Sequence, residues 1–598
     1  MKIAGCLMLK NESKRISVTL NSLIGFVNGL IIFDTGSTDQ TIPIIQEWCT
    51  TNSIPLHLKE GTFVDFSASR NELFDFADTI PDYDFLLLLD CNDELRGGEA
   101  LRSFCEKELT APTAKAYMVK QEWLTGTYIN NYLNSRLVRK GHGWRFKKRV
   151  HEYLAPPPGE KSMDRPTVIG VVLYQNRNSD DDKTSKRFLR DAQLLEEDVA
   201  REGDPRDVFY LAQTYSCLNE MDKALKMYQR RGEEEKGFWE ERFHSFLRMG
   251  EIYHRQGDFS NAIINFFKAA AIDCRAEPLV SLGKIYKDND DHLTAYMFFR
   301  AAIDLDYPIN NILFVSRQDY QYDRFQQHGI SSYYIGRFTE GKQSIEVAKK
   351  FNPEINAQNE QFYAKAAAEG KKDVEFFSAD DGEQLPEIVE MYKKCIDKAK
   401  KSLTSDDSVN VVVECLKAFQ LIQKCEPLVI LGEYCRLLRS FRLSYYITKM
   451  ACEMADDGSH ESKYLRWHLM GLVAHEAGKI TDGKKACMKA IEQGTNIRGD
   501  RNNLKVYVAK EKALLMSSPA PSTVPSSTTS STTPSVSVQA TPPPSALTAP
   551  TAQVETQSQY VERRVQELKN QEPKWDDRRV KAKANLEWRL AQMKSAKK

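Results

Sequence analysis

Short unbroken apolar runs and amphipathic stretches alternate over roughly the first 180 residues of this chain. Ile3–Leu9, Gly29–Phe33 and Phe85–Leu89 are continuous hydrophobic runs of strand length, each followed by sequence with helical spacing. Fully apolar strands alternating with helices predict a mainly parallel sheet covered on both faces. In such sheets ligands sit beyond the carboxyl ends of the strands. Two of the runs end in an acid, since Phe33 is followed by Asp34 and Leu89 by Asp90.

From about Lys183 the pattern becomes helical and repeats. YLAQTYSCLNEMDKAL at 210–225 aligns with FLRMGEIYHRQGDFSNAI at 246–263 and LVSLGKIYKDNDDHLTAY at 279–296. Tyr215, Tyr253 and Tyr286 correspond, as do Ala224, Ala262 and Ala295. The spacings bracket the period of about 34 residues typical of tetratricopeptide helix pairs. The small residue lets the two helices approach, and the aromatic fills the groove between neighbours. SYYIGRFTEGKQSI at 332–345 reads as a degenerate fourth unit, and MGLVAHEAGKITDGKKACMKAI at 470–491 repeats the pattern after a break. The aromatics Tyr253, Phe266, Phe267 and Tyr286 read as repeat core. Residues 517–558, nearly all Ser, Thr, Pro, Ala, Val and Gln, predict a disordered linker. The charged stretch 559–598 predicts a helical tail. The expected organisation is therefore 1–182 α/β, 183–384 and 385–516 helical repeats, then linker and tail.

Composition narrows the function. Lys+Arg and Asp+Glu are both 83. This balance argues against whole-chain attraction to nucleic acid or an acidic membrane. The 12 Cys are scattered without a CxxC pair, which disfavours a zinc site or a disulfide framework and fits a reducing, cytoplasmic setting. The apolar start meets Lys10, Glu12, Lys14 and Arg15 too soon for a signal segment, and no uncharged apolar run is long enough for a transmembrane span.

The informative chemistry begins with Lys10-Asn11-Glu12 and Asp34-Thr35-Gly36-Ser37-Thr38-Asp39. An Asp at a strand end can accept a hydrogen bond from a uracil-type N–H, Gly36 permits a tight turn, and the hydroxyls precede a helix N-terminus that favours anions. Alone, the motif reads equally well as a capped strand-to-helix turn.

Three segments in order, the opening strand with K-N-E, D-T-G-S-T-D, and Ser69-Arg70-Asn71 followed by LLLLDCNDEL at 86–95, resemble the family 2 glycosyltransferases. The resemblance covers roughly residues 1–155 and implies an α/β nucleotide-diphospho-sugar transferase (GT-A) domain followed by an all-α tetratricopeptide-like solenoid. Its layout is similar to bacterial and large-DNA-virus proteins that fuse the two, including bacteriocin peptide S-glycosyltransferases. The resemblance implies a nucleotide-diphosphate sugar donor, held by Asn11, Glu12, Asp34, Asp39, Arg70 and Asp90. The ordinary alternative for Arg70 is a surface salt bridge. The family's D-x-D motif falls on Asp90-Cys91-Asn92-Asp93, and a divalent cation (Mn2+ or Mg2+) is implied at Asn92, Asp93 and His151. Asn92 departs from the family's carboxylate. Losing that charge removes an attraction of about 4 kcal/mol at ~4 Å and an effective dielectric near 20, and Asp93 stands beside it to restore the charge.

Trp144-Arg145-Phe146-Lys147-Lys148-Arg149-Val150-His151-Glu152-Tyr153 is similar to the segment that closes the family's catalytic domain. It implies Glu152 as the base of an inverting transfer, with Asp93 also assigned to the catalytic set and Glu122 as a competing base. His151 could bind diphosphate or metal, or be a satisfied core histidine. Lys147, Lys148 and Arg149 could steady the leaving phosphates or form a solvated turn. The acceptor expected is a peptide, a glycan or a lipid-linked chain, with a protein partner possible on the repeats. A repeat-based binding protein with a degenerate transferase domain is the competing reading, favoured by Asn92.

Overall fold

The computed structural model describes residues 1–126, 128–159, 165–178, 183–375, 377, 386–404, 408–493, 497–517 and 563–567. The expected linker and tail fall outside the described residues, apart from Ser517 and 563–567. Two compact units are present, Met1–Lys284 with Phe298–Lys372, and Ile285–Met297 with Asp373–Lys598.

The first unit is built on strands β1 (Ile3–Leu9), β2 (Gly29–Asp34), β3 (Leu56–Glu60), β4 (Phe85–Leu89), β5 (Glu94–Arg96), β6 (Ala116–Thr125), β7 (Tyr128–Arg139), β8 (Arg145–Lys147), β9 (Tyr153–Ala155), β10 (Thr167–Asn176) and β11 (Val315–Ser316). The main sheet runs β3-β2-β1-β4-β7-β6-β10-β5, with β11 on β7, while β8 and β9 pair separately. The first four strands are parallel, with Leu9 opposite Asp34 and Leu7 opposite Leu89. Side chains alternate between faces. Ile3 and Leu7 therefore pack with Leu20, Ile45 and Leu101 of helices α1 (Ile16–Ser22), α2 (Thr41–Thr51) and α4 (Gly98–Thr110). Ala4, Cys6 and Phe33 pack instead with Leu73, Phe74 and Ala77 of α3 (Phe66–Asp78). Each fully buried Leu or Phe in these layers contributes about 1.5–3 kcal/mol.

The expectation of a mainly parallel sheet fails beyond β4. β7 is antiparallel to both β4 and β6, although β6 and β10 are parallel. The cause is local: Thr125 pairs with Tyr128 across a two-residue connection in which Gly126 has φ 61°, so β6 and β7 form a hairpin. The carboxyl ends of β1, β2, β4, β6 and β10 consequently share one edge of the sheet.

Helical pairs follow: α5 (Lys183–Arg201), α6 (Pro205–Cys217), α7 (Met221–Glu233), α8 (Trp239–Arg255), α9 (Phe259–Ile272), α10 (Ala276–Lys287), α11 (His292–Ile303), α12 (Arg324–Tyr334), α13 (Phe338–Lys349) and α14 (Pro353–Ala368). A second rule joins the repeats. Glycine on the first helix faces a side chain sixteen residues on in the second: Gly250 faces Phe266, Gly283 Phe299, Gly329 Ile345, Gly432 Thr448 and Gly471 Cys487. A Cβ at Gly250 would lie 2.6 Å from the Phe266 ring. Gly432 and Gly471 belong to the second unit, whose helices run from Pro386–Leu403 to Ile497–Ser517, so that unit obeys the same packing.

Candidate active site

At the carboxyl ends of β1 and β2 the two expected loops lock together. Asp34 is buried, and its carboxylate accepts from Ser37 N (3.1 and 3.0 Å) and from Ser37 Oγ (2.6 Å). Gly36 has φ 100°, the left-handed turn that its position anticipated. Ser37 Oγ also accepts from Asn11 N (3.0 Å), and Asn11 Oδ1 accepts from Thr38 N (2.7 Å). Asn11 adopts φ 56°, which Asn tolerates better than most residues. Asp39 accepts from Ser13 N and from Thr41 N and Oγ1, and these bonds hold its carboxyl well below the usual range. Glu12 N donates to Thr41 Oγ1 (2.7 Å). Asn11, Glu12, Asp34 and Asp39 are thus brought together, with Asp39 spent on fixing the loops.

Beside them, at the end of β4, lies a cluster of charges. Arg70 of α3 donates through Nε to Glu152 Oε1 (2.7 Å) and through Nη2 to Asp90 Oδ1 (2.8 Å). Arg136 of β7 donates through Nη2 to Asp90 Oδ2 (2.8 Å) and through Nη1 to Asp90 Oδ1 (3.3 Å). The two guanidiniums hold the Asp90 carboxyl far below the usual range against the upward push of burial. Arg136 carried no motif in the sequence. Its only signal is placement, because Tyr132, Asn134 and Arg136 share the β7 face that meets Gln121, and Gln121 Oε1 accepts from Asn134 Nδ2 (3.1 Å).

Asp93 is placed otherwise than expected. It is fully buried; Oδ2 accepts from Asp90 N (2.8 Å) and Oδ1 from Gln175 Nε2 (2.7 Å). Burial first, and then the Asp90 charge, push its pKa up to about 6. A closed carboxylate with both oxygens committed does not fit the ligand or catalytic part foreseen for it. The His151 ring stacks on Tyr210 of α6, centroids 3.9 Å apart and planes 12° apart. Among the described residues, no three His, Cys, Asp or Glu side chains converge on a metal-sized site. With Asp90 bonded to two arginines, both Asp93 oxygens taken and Asn92 uncharged, the motif presents none of the one or two free carboxylates that a phosphate-bound Mn2+ or Mg2+ draws on.

The segment carrying Glu152 is held from two sides. Asn71 of α3 accepts from Phe146 N (2.7 Å) and donates to Phe146 O (3.0 Å), so it clamps β8 and is not offered to a ligand. Lys148 pairs with Asp204 and Asp207 (2.8 Å each), and Arg149 with Asp198 (2.7 Å) and Glu197 (3.0 Å). Both side chains, expected either as phosphate contacts or in a solvated turn, are therefore engaged by the first helices of the repeats and their connecting loop. Lys147 carries no such pair among the described residues. Glu122 alternates to the face opposite Gln121 and pairs with Lys120 (2.8 Å) and Arg317 (3.4 Å), away from Asp90.

No helix among the described residues is long and apolar enough to cross a membrane.

No family model matches the chain. Among curated proteins, the prophage-derived glycosyltransferase SunS of Bacillus subtilis is 23% identical over 231 residues, 37% of this chain and 50% of its own length. The chain thus spans about half the length of that relative. A TPR repeat-containing protein of Synechococcus elongatus is 26% identical over 318 residues, 50% of this chain and 75% of that protein. Among solved structures, TarS 1–349 of S. aureus in complex with UDP-GlcNAc is 11% identical, covering 64% of this chain and 95% of that one with a TM-score of 0.23. The chain joins a glycosyltransferase-like α/β domain to tetratricopeptide-like helical repeats.

Proposed function

We propose that this chain is a family 2-type glycosyltransferase that moves a hexosyl group, with inversion, from a nucleotide-diphosphate donor to a peptide, glycan or lipid-linked acceptor. The observation that supports it best is the convergence of Arg70, Asp90, Arg136 and Glu152 beside the Asn11–Asp34 loops, at the strand ends where open α/β sheets bind ligands. The base lies against Asp34. The diphosphate meets the guanidiniums, where Arg70 Nη1 has no partner among the described residues.

In the transfer, the acceptor heteroatom attacks the anomeric carbon. The carbon–oxygen bond to the diphosphate breaks, and the bonding pair leaves with the phosphate. Glu152 Oε2, which has no partner among the described residues, takes the acceptor's proton, a contribution of about 10²–10⁴ in rate. Because the motif's carboxylates are already bonded, the leaving charge in this reading falls to the arginines.

Purified full chain incubated with a panel of UDP- and GDP-sugars should release nucleoside diphosphate, and Asp34→Ala or Asp90→Ala should abolish the release. UDP binding without turnover across the panel would instead support the non-catalytic reading.

A further inference from the structure

The segment 148–153 is strained where it approaches Glu152. Lys148 has φ 78° and His151 φ 50°. Left-handed backbone at such residues costs about 1–3 kcal/mol each and persists only where the surroundings over-determine it. The surroundings here are chiefly the first two repeat helices. Lys148 Nζ reaches Asp207, only 2% exposed, as well as Asp204 on the loop between α5 and α6. Arg149 donates to Asp198 and to the carbonyl of Leu194 (3.0 Å) on α5. Arg206 Nη2 donates to the carbonyl of His151 (3.2 Å), and the His151 ring lies flat on Tyr210. From the other side α3 holds the same segment, with Phe66 N donating to Arg149 O (3.3 Å) and Arg70 to Glu152.

We infer that α5 and α6 belong to the active site as a buttress, with Lys148 and Tyr210 as positioning residues that set the Glu152 carboxylate. This rests on the reading of Glu152 as the base. Packing between two domains needs apolar contact alone. It does not require two left-handed residues just ahead of the reactive acid, one pinned by a part-buried ion pair and the other by a ring stack. Removing either pin lets the segment relax towards ordinary φ, and Glu152 turns away from the acceptor. Donor contacts at Asp34 lie on other loops and stay in place.

The test uses the full chain and the nucleotide sugar that turns over in the panel, with water or acceptor as nucleophile. Tyr210→Leu and Lys148→Met should each lower kcat about 10–100-fold, the scale set by small misplacements of a reacting group. The donor KM should stay within about 3-fold in both, and Tyr210→Phe, which keeps the stacked ring, should restore kcat. Retention of kcat within about 2-fold in both variants, while Glu152→Gln loses it, would overturn the buttress. Unimpaired turnover in Glu152→Gln would instead remove the assignment of Glu152 as the base. Should Tyr210→Leu fail to fold, Lys148→Met at the segment's rim decides alone.

Discussion

Asp93 is the carboxylate whose titration tests the closed geometry described for it. Its folded pKa of about 6 stands above the ordinary 3.8 because the group is buried beside Asp90. A raised carboxyl pKa means that the native state holds the proton more tightly than the unfolded chain. The stabilisation is therefore complete below about pH 4 and is lost as the pH rises to 6, after which the profile is flat. A difference of about two pH units at 1.36 kcal/mol each gives a decline of about 3 kcal/mol. Asp90 does not interfere in that window. Its depressed pKa places its own loss of stability below about pH 4, as the carboxylate is protonated. The perturbation is Asp93→Asn, which removes the titration while keeping the shape. Chemical denaturation followed by circular dichroism between about pH 4 and 7.5 gives both profiles, and their difference cancels every other titrating group. Wild type should lose about 3 kcal/mol relative to the variant across the window. Parallel profiles would refute the reasoning, because they would show that burial beside Asp90 leaves the Asp93 carboxyl titrating as it does in the unfolded chain.

Three further outcomes follow from the same geometry. Arg136→Met should weaken UDP binding about 10–100-fold in calorimetry at fixed salt, since a charge-assisted contact contributes about 1.5–3 kcal/mol. Addition of EDTA should leave turnover within about 3-fold of its starting value, as expected if arginines rather than a cation neutralise the diphosphate. Gly250→Val should destabilise the repeats by about 1–3 kcal/mol in thermal unfolding, because its side chain must displace the Phe266 ring.

The strands β1, β2 and β4 were legible because a buried parallel strand is apolar at every position, a signal contained within a few residues. The repeats were legible for a similar reason: Ala224, Ala262 and Ala295 recur at matching positions and are all fully buried. The facing glycines, such as Gly250 and Gly283, were open to the same comparison and would have extended the repeat rule to Gly432 and Gly471. The reversal at β7 and the part played by Arg136 were not legible. They depend on which strands pair across the sheet, and a single arginine in a strand looks the same on either face. Lys148 and Arg149 meet neither expectation, phosphate contacts or a solvated turn, because their partners Asp207 and Asp198 lie 59 and 49 residues away on helices. Asp93 misled because the motif fixes its place in the chain but not its exposure.

A crystal structure of the full chain with UDP tests the central claim most directly. The account predicts uracil against Asp34, diphosphate within hydrogen-bonding distance of Arg70 or Arg136, and Glu152 facing the open side of the same cavity. UDP bound elsewhere, with the Arg70–Asp90–Arg136 cluster closed and untouched, would contradict it.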